Sequence, residues 1–162
     1  MMSDMSERPD TLPSLELSAL RALIGGTVKN TVRLPLLSGS MAPTLLPGDV
    51  LRVRPADGHH VHTGDIVVFL KNGTVTAHRL VFAVRLLGRT FLMEMGDANL
   101  SAAVLQPAAV LGVVESAERQ EKRVSLSCGG ANWQARRTAA RMLRRHIINA
   151  FPFGPVRRVF GK

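Results

Sequence analysis

A chain of 162 residues, 46% apolar and 20% charged, is long enough to bury a core and too apolar to stay disordered, so one folded domain with an appended segment is expected. Its single cysteine, Cys128, excludes an intrachain disulfide and a cysteine-based metal site, which makes the cytosol the expected compartment. The formal net charge of +9 gathers at the carboxyl end, where Arg136, Arg137, Arg141, Arg144, Arg145, Arg157, Arg158 and Lys162 stand with no acid between Gly129 and Lys162; such asymmetry suits an anionic surface.

The amino terminus, Met1 to Pro13, carries Asp4, Glu7 and Asp10 and does not read as a secretory signal. Leu15, Leu17, Leu20 and Leu23 then fall at helical spacing, predicting a short amphipathic helix that Gly25-Gly26 ends. From Thr31 the period shortens to two. Strands are predicted at Thr31 to Leu37, Asp49 to Val53, Asp65 to Leu70, Val75 to Leu87, Thr90 to Met95, Val110 to Ser116 and Arg123 to Leu126. Between Lys71 and Thr74, Asn72-Gly73 supplies the positive φ values of a tight hairpin turn. The longest apolar stretch, Ala102 to Val114, is broken by Gln106 and Pro107, so no segment approaches the roughly 18 apolar residues of a membrane span.

After Gly129-Gly130 the pattern becomes helical, with Trp133, Ala140, Leu143, Ile147 and Ala150 on one stripe and the arginines mostly off it. The chain thus divides into an N-terminal segment with a short helix (1–30), a mainly β domain (31–128) and a basic helical tail (129–162).

Candidate chemistry is concentrated at Ser38-Gly39-Ser40-Met41-Ala42-Pro43-Thr44-Leu45-Leu46-Pro47-Gly48-Asp49. A nucleophilic hydroxyl needs an exposed turn where a base can reach it and backbone N–H groups can face an oxyanion, and Gly39 and Pro43 favour such a turn. Ser-Gly-Ser by itself is equally at home in a linker. The full string, Ser-Gly-Ser-Met-x-Pro-Thr-Leu followed by Gly-Asp, closely resembles the nucleophile box of signal peptidase I. That resemblance implies Ser40 as nucleophile, with the Ser38 hydroxyl and the Ser40 backbone N–H as oxyanion donors.

Further boxes follow in the family's order. Gly64-Asp65-Ile66-Val67-Val68-Phe69 looks like a turn entering a core strand, Ala77-His78-Arg79-Leu80-Val81 like the box that bears the base, Gly96-Asp97-Ala98-Asn99 like the Gly-Asp-Asn box, and Val110 to Val114 like the closing strand. The resemblance runs from Leu34 to Val114, half of the chain. It implies a signal peptidase/LexA-like β-fold, a histidine base as in the archaeal and endoplasmic-reticulum branch, and no cofactor. His78 suits the role on its own chemistry, because neutral imidazole takes a proton near neutral pH, whereas Lys71, the competing base on the flank of the Asn-Gly turn, would first have to be desolvated.

A histidine base is usually oriented by a carboxylate, and the acid that the family's histidine branch carries just after its Gly-Asp-Asn box is missing from Leu100-Ser101-Ala102-Ala103. Asp97 could orient His78 or cap its own turn; otherwise the site is a Ser–His dyad. His59-His60-Val61-His62 has no nearby cysteine and only Asp57 as a close acid, so it reads as a solvated loop and no metal is expected.

The resemblance further implies an extended peptide or leader substrate, held along a strand edge and cut after small residues, with Met41 and Pro43 as candidates for the pocket beside the cut. Arg136 to Ile148 could rest peripherally on an anionic membrane or pack on the domain. Two alternatives stand beside the peptidase. A self-cleaving LexA-type regulator would use lysine and need a DNA-binding module of ~60 residues, twice what precedes the strands. A catalytically inactive β module would bind peptide, or nucleic acid through the arginines, although with aromatics at 4% and no tyrosine, base stacking is not expected.

Overall fold

The computed structural model describes residues 31–126 and 133–150. The predicted helix at Leu15 to Leu23, and the whole 1–30 segment, lie outside the described residues. Eight strands form one antiparallel sheet: β1 (Val32–Pro35), β2 (Val50–Pro55), β3 (Ile66–Lys71), β4 (Thr74–Leu86), β5 (Arg89–Met95), β6 (Ala103–Leu105), β7 (Val110–Arg119) and β8 (Lys122–Ser125). Their order is β1-β2-β7-β3-β4-β5-β6, with β8 on the free end of β7, and α1 (Trp133–Ala150) follows. The protein is mainly β, as its period-two patterning predicts. β6 is the strand that patterning misses.

Both faces of the central strands are covered. Ile66 and Val68 join Leu36, Met41, Leu45, Leu51 and Val114 in one cluster, while Val67 and Phe69 join Leu80, Leu92, Val110 and Val113 in another. This is why Ile66 to Leu70 is a continuous apolar run rather than an alternating one. Each fully buried side chain of this size contributes about 1.5–3 kcal/mol by leaving water. The hairpins are set by their turns: Asn72-Gly73 and Leu87-Gly88 both place two successive residues at positive φ, as a primed two-residue turn requires.

A β-bulge interrupts the pairing of β4 with β5. From the turn, Leu86 faces Arg89 and Phe82 faces Met93; beyond Val81 the register slips, so that Leu80 faces Glu94 and Arg79 faces Met95. One extra residue on β4 thereby moves the last part of β5 to the opposite face of the ladder.

α1 packs across β4. Met142 is buried with Val81 and Met95, Leu143 and Ala102 border them, and the Ala102 N–H donates to His146 Nδ1 at 3.1 Å. The packed stripe is therefore Ala139, Met142 and Leu143, rotated from the predicted one: Ala140, Ile147 and Ala150 are exposed. Among the described residues no helix is long and apolar enough to cross a membrane.

Candidate active site

β1 leads through Leu36 and Leu37 into the turn that carries Ser40. Inside it the Ala42 N–H donates to the Gly39 carbonyl at 3.0 Å and the Leu45 N–H to the Met41 carbonyl at 3.0 Å. Met41 and Leu45 are fully buried and fix the turn to the core. Asp49 closes it by accepting from the Leu46 N–H at 2.8 Å and from both Nε and Nη2 of Arg119 at 2.8 Å. The Arg119 hydrogen bonds, opposed by burial, hold the Asp49 carboxyl below its usual pKa. Ser40 is left half-exposed.

His78, in the middle of β4, lies with Nε2 3.1 Å from Ser40 Oγ, although 38 positions separate the two residues. Its Nδ1 is 2.5 Å from Glu94 Oε2 on β5. The second Glu94 oxygen accepts from Lys71 Nζ at 2.9 Å. Phe69 meets the imidazole edge-on, with ring centroids 5.9 Å apart, so the ring is held by packing as well as by hydrogen bonds. Burial pushes the Glu94 carboxyl up, but the hydrogen bonds and attraction from His78 and Lys71 outweigh it and leave its pKa below the usual glutamate value. An ionised carboxylate can only accept. Nδ1 of a neutral His78 therefore carries the proton, and Nε2 presents a lone pair to the Ser40 hydroxyl.

No family model matches the chain, and no curated protein matches it. The site's chemistry therefore rests on its own geometry.

Of the residues singled out in the sequence, Ser38, Ser40 and His78 come together: Ser38 Oγ is 3.2 Å from Ser40 Oγ. Asp97 does not join them through His78. Its carboxylate accepts from Arg79 Nε at 2.9 Å and Arg79 Nη2 at 2.7 Å, and from Thr44 Oγ1 at 2.5 Å. Asp97 thus ties the Ser40 turn to β4 beside His78, and the carboxylate that holds His78 Nδ1 is Glu94. Met41 is also displaced from its expected role, because a side chain with no exposure cannot touch a substrate. Pro43, after a cis Ala42–Pro43 bond, is exposed on the same turn. Lys71 is engaged by Glu94, which is itself engaged by His78.

The histidine loop is dispersed: His59 Nδ1 meets Thr90 Oγ1 at 2.8 Å, and His62 donates its N–H to Asp65 Oδ2 at 2.9 Å. Among the described residues, no three His, Cys, Asp or Glu side chains gather at one point.

Glu94 is the site residue that sequence reasoning missed. The available signal was a single carboxylate inside the apolar run Phe91-Leu92-Met93-Glu94-Met95. Counting back from the Leu87-Gly88 turn without a bulge would set Glu94 opposite Val81, on the face away from His78. Only the extra residue at Val81 turns it toward the imidazole as a diagonal cross-strand neighbour.

Proposed function

We propose that this protein is a serine endopeptidase of the signal peptidase I type, cutting an extended peptide or leader after small residues. The observation that carries the reading is the continuous chain from Ser40 Oγ to His78 Nε2, and from His78 Nδ1 to Glu94, at 3.1 and 2.5 Å. A hydroxyl, an imidazole and a buried carboxylate in that order form a nucleophile, a base and an orienting group.

In the proposed reaction, His78 Nε2 takes the Ser40 proton as Oγ attacks the scissile carbonyl carbon. The carbonyl oxygen becomes an oxyanion, held by the Ser38 hydroxyl and the Ser40 N–H. The imidazolium, stabilised by Glu94, then protonates the leaving amine as the C–N bond breaks, which leaves an acyl ester on Ser40. Water attacks that ester with His78 again acting as base, releasing the acid and restoring the hydroxyl. β1 supports the substrate assignment: it ends the sheet order among the described residues and runs directly into the Ser40 turn, so a peptide added along it would pass the nucleophile.

The test is cleavage by purified protein of a peptide library with small residues before the scissile bond. Cleavage by the wild type, with loss of at least ~10⁴-fold in Ser40→Ala and in His78→Ala, is the expected result. Cleavage that survives Ser40→Ala would reject the assignment. Salt-sensitive nucleic-acid binding by an inactive wild type would favour the β-module alternative instead.

A further inference from the structure

We infer that the tip of the β4–β5 hairpin, with the apolar face behind it, docks on an anionic lipid surface, independently of the reaction at Ser40. Leu87 at the turn is 92% exposed and Leu86 60%. The cross-strand register places Phe82, Val84, Leu86, Phe91 and Met93 on one face of the ladder, and Val104 of β6 extends it with 77% exposure. Side chains of this size, exposed together, are what a soluble surface avoids. Behind the tip the face hollows into a groove of about 840 Å³, bounded by Phe82, Val84, Phe91 and Val104.

The polar groups around this face identify the occupant. Arg85 and Arg89 stand exposed, each two residues from Leu87, placed to reach phosphates while their stems cover apolar surface. On the other face of the hairpin, Arg85 and Arg136 of α1 line a separate hollow, and Arg137, Arg141, Arg144 and Arg145 are exposed further along the helix. β4, β6 and α1 contain no acid, and the one acid of β5, Glu94, is buried against His78. An apolar tip flanked by Arg85 and Arg89, with Asp57 beside the groove residue His59 as the nearby exposed acid, complements an anionic bilayer interface. With about 3.4 Å of rise per residue, a penetration of ~10 Å takes in Leu86, Leu87, Val84 and Phe91; Arg85 and Arg89, nearer the tip than Val84 and Phe91, extend their stems back along the apolar surface to bring their guanidinium groups toward the phosphates. The helix serves as a charged flank rather than as the inserted element, since its Ala139 and Met142 are turned into the protein.

Flotation of the full chain with vesicles tests this. Wild type is expected to float with vesicles of phosphatidylcholine and phosphatidylglycerol, to release as salt rises, and to bind pure phosphatidylcholine at least tenfold more weakly. Leu86→Asp/Leu87→Asp should lower the partition coefficient about tenfold or more. Arg85→Gln/Arg89→Gln, which leaves the apolar tip intact, should lower it severalfold and flatten the salt dependence. Peptide cleavage in solution should be unchanged in both variants, because neither touches the Ser40 site. The inference is overturned if wild type ignores anionic vesicles, or if the Leu86→Asp/Leu87→Asp variant binds them as well as wild type does. It is also overturned if neutralising Arg141, Arg144 and Arg145 abolishes binding while the tip variant retains it.

Discussion

Glu94 is bound by a histidine on one oxygen and a lysine on the other, and the two contacts act in opposite directions on the base. In the proposed reaction the carboxylate favours the imidazolium that would form as His78 takes the serine proton; the ammonium of Lys71 draws part of that charge away. Glu94→Gln should keep the ring in place but lose the charge and admit the wrong tautomer, lowering kcat about 10²- to 10⁴-fold in the peptide assay. Lys71→Met should act differently. With the ammonium gone, the Glu94 charge is devoted to His78, and kcat/KM in the peptide assay should stay within a few-fold of wild type. A Lys71→Met enzyme inactive at every pH would make the lysine the base.

At the scale of elements, the site is an assembly of turns fastened to strands. The Gly96 loop approaches the nucleophile turn so closely that a Cβ at Gly96 would lie 2.6 Å from the Ser40 carbonyl oxygen, and the Ala98 N–H donates to that same oxygen at 2.9 Å. Backbone cannot yield there as a flexible side chain could. Gly96→Ala should displace Ser40 by a fraction of an ångström and lower kcat about 10²-fold, with a near-normal far-ultraviolet dichroism spectrum. Asp49 fastens the other end of the turn. Its pKa is lowered in the folded protein, so its contribution to stability is present above the ordinary aspartate value and is lost as pH falls through the lowered one. Asp49→Asn should cost about 2 kcal/mol in urea unfolding at pH 7, a difference that shrinks once pH drops below about 4.

These elements were unevenly legible. The strands around Asn72-Gly73 could be read because turn chemistry and alternation agree there. β6 could not, since three residues before Gln106-Pro107 are too few for a period to register. Met41 was misplaced because a methionine beside a nucleophile looks the same in sequence whether it faces a substrate or the core. Glu94 was hidden by a bulge, which no local signal announces: Val81 is an ordinary strand residue, and only the pairing partner reveals that it is one too many.

The whole molecule brings β1, β3, β4 and β5 to one point through a single sheet, so that Ser40, Lys71, His78 and Glu94 meet from four separate elements. Ser40 comes from the turn after β1, Lys71 from the end of β3, His78 from β4 and Glu94 from β5. α1 covers β4 through Met142 and leaves its arginines outward, so the reacting groups and the cationic surface are carried by the same strand pair without overlapping. The central claim, that this assembly makes Ser40 a nucleophile toward an acyl carbon, is tested most directly by trapping the acyl-enzyme. Wild-type protein mixed with an activated peptide ester ending in alanine, quenched in acid and weighed intact, should carry one acyl group that maps to Ser40, formed far more slowly in His78→Ala and not at all in Ser40→Ala. An unlabelled wild type across a broad set of such esters, or a label that persists in Ser40→Ala, would contradict the account.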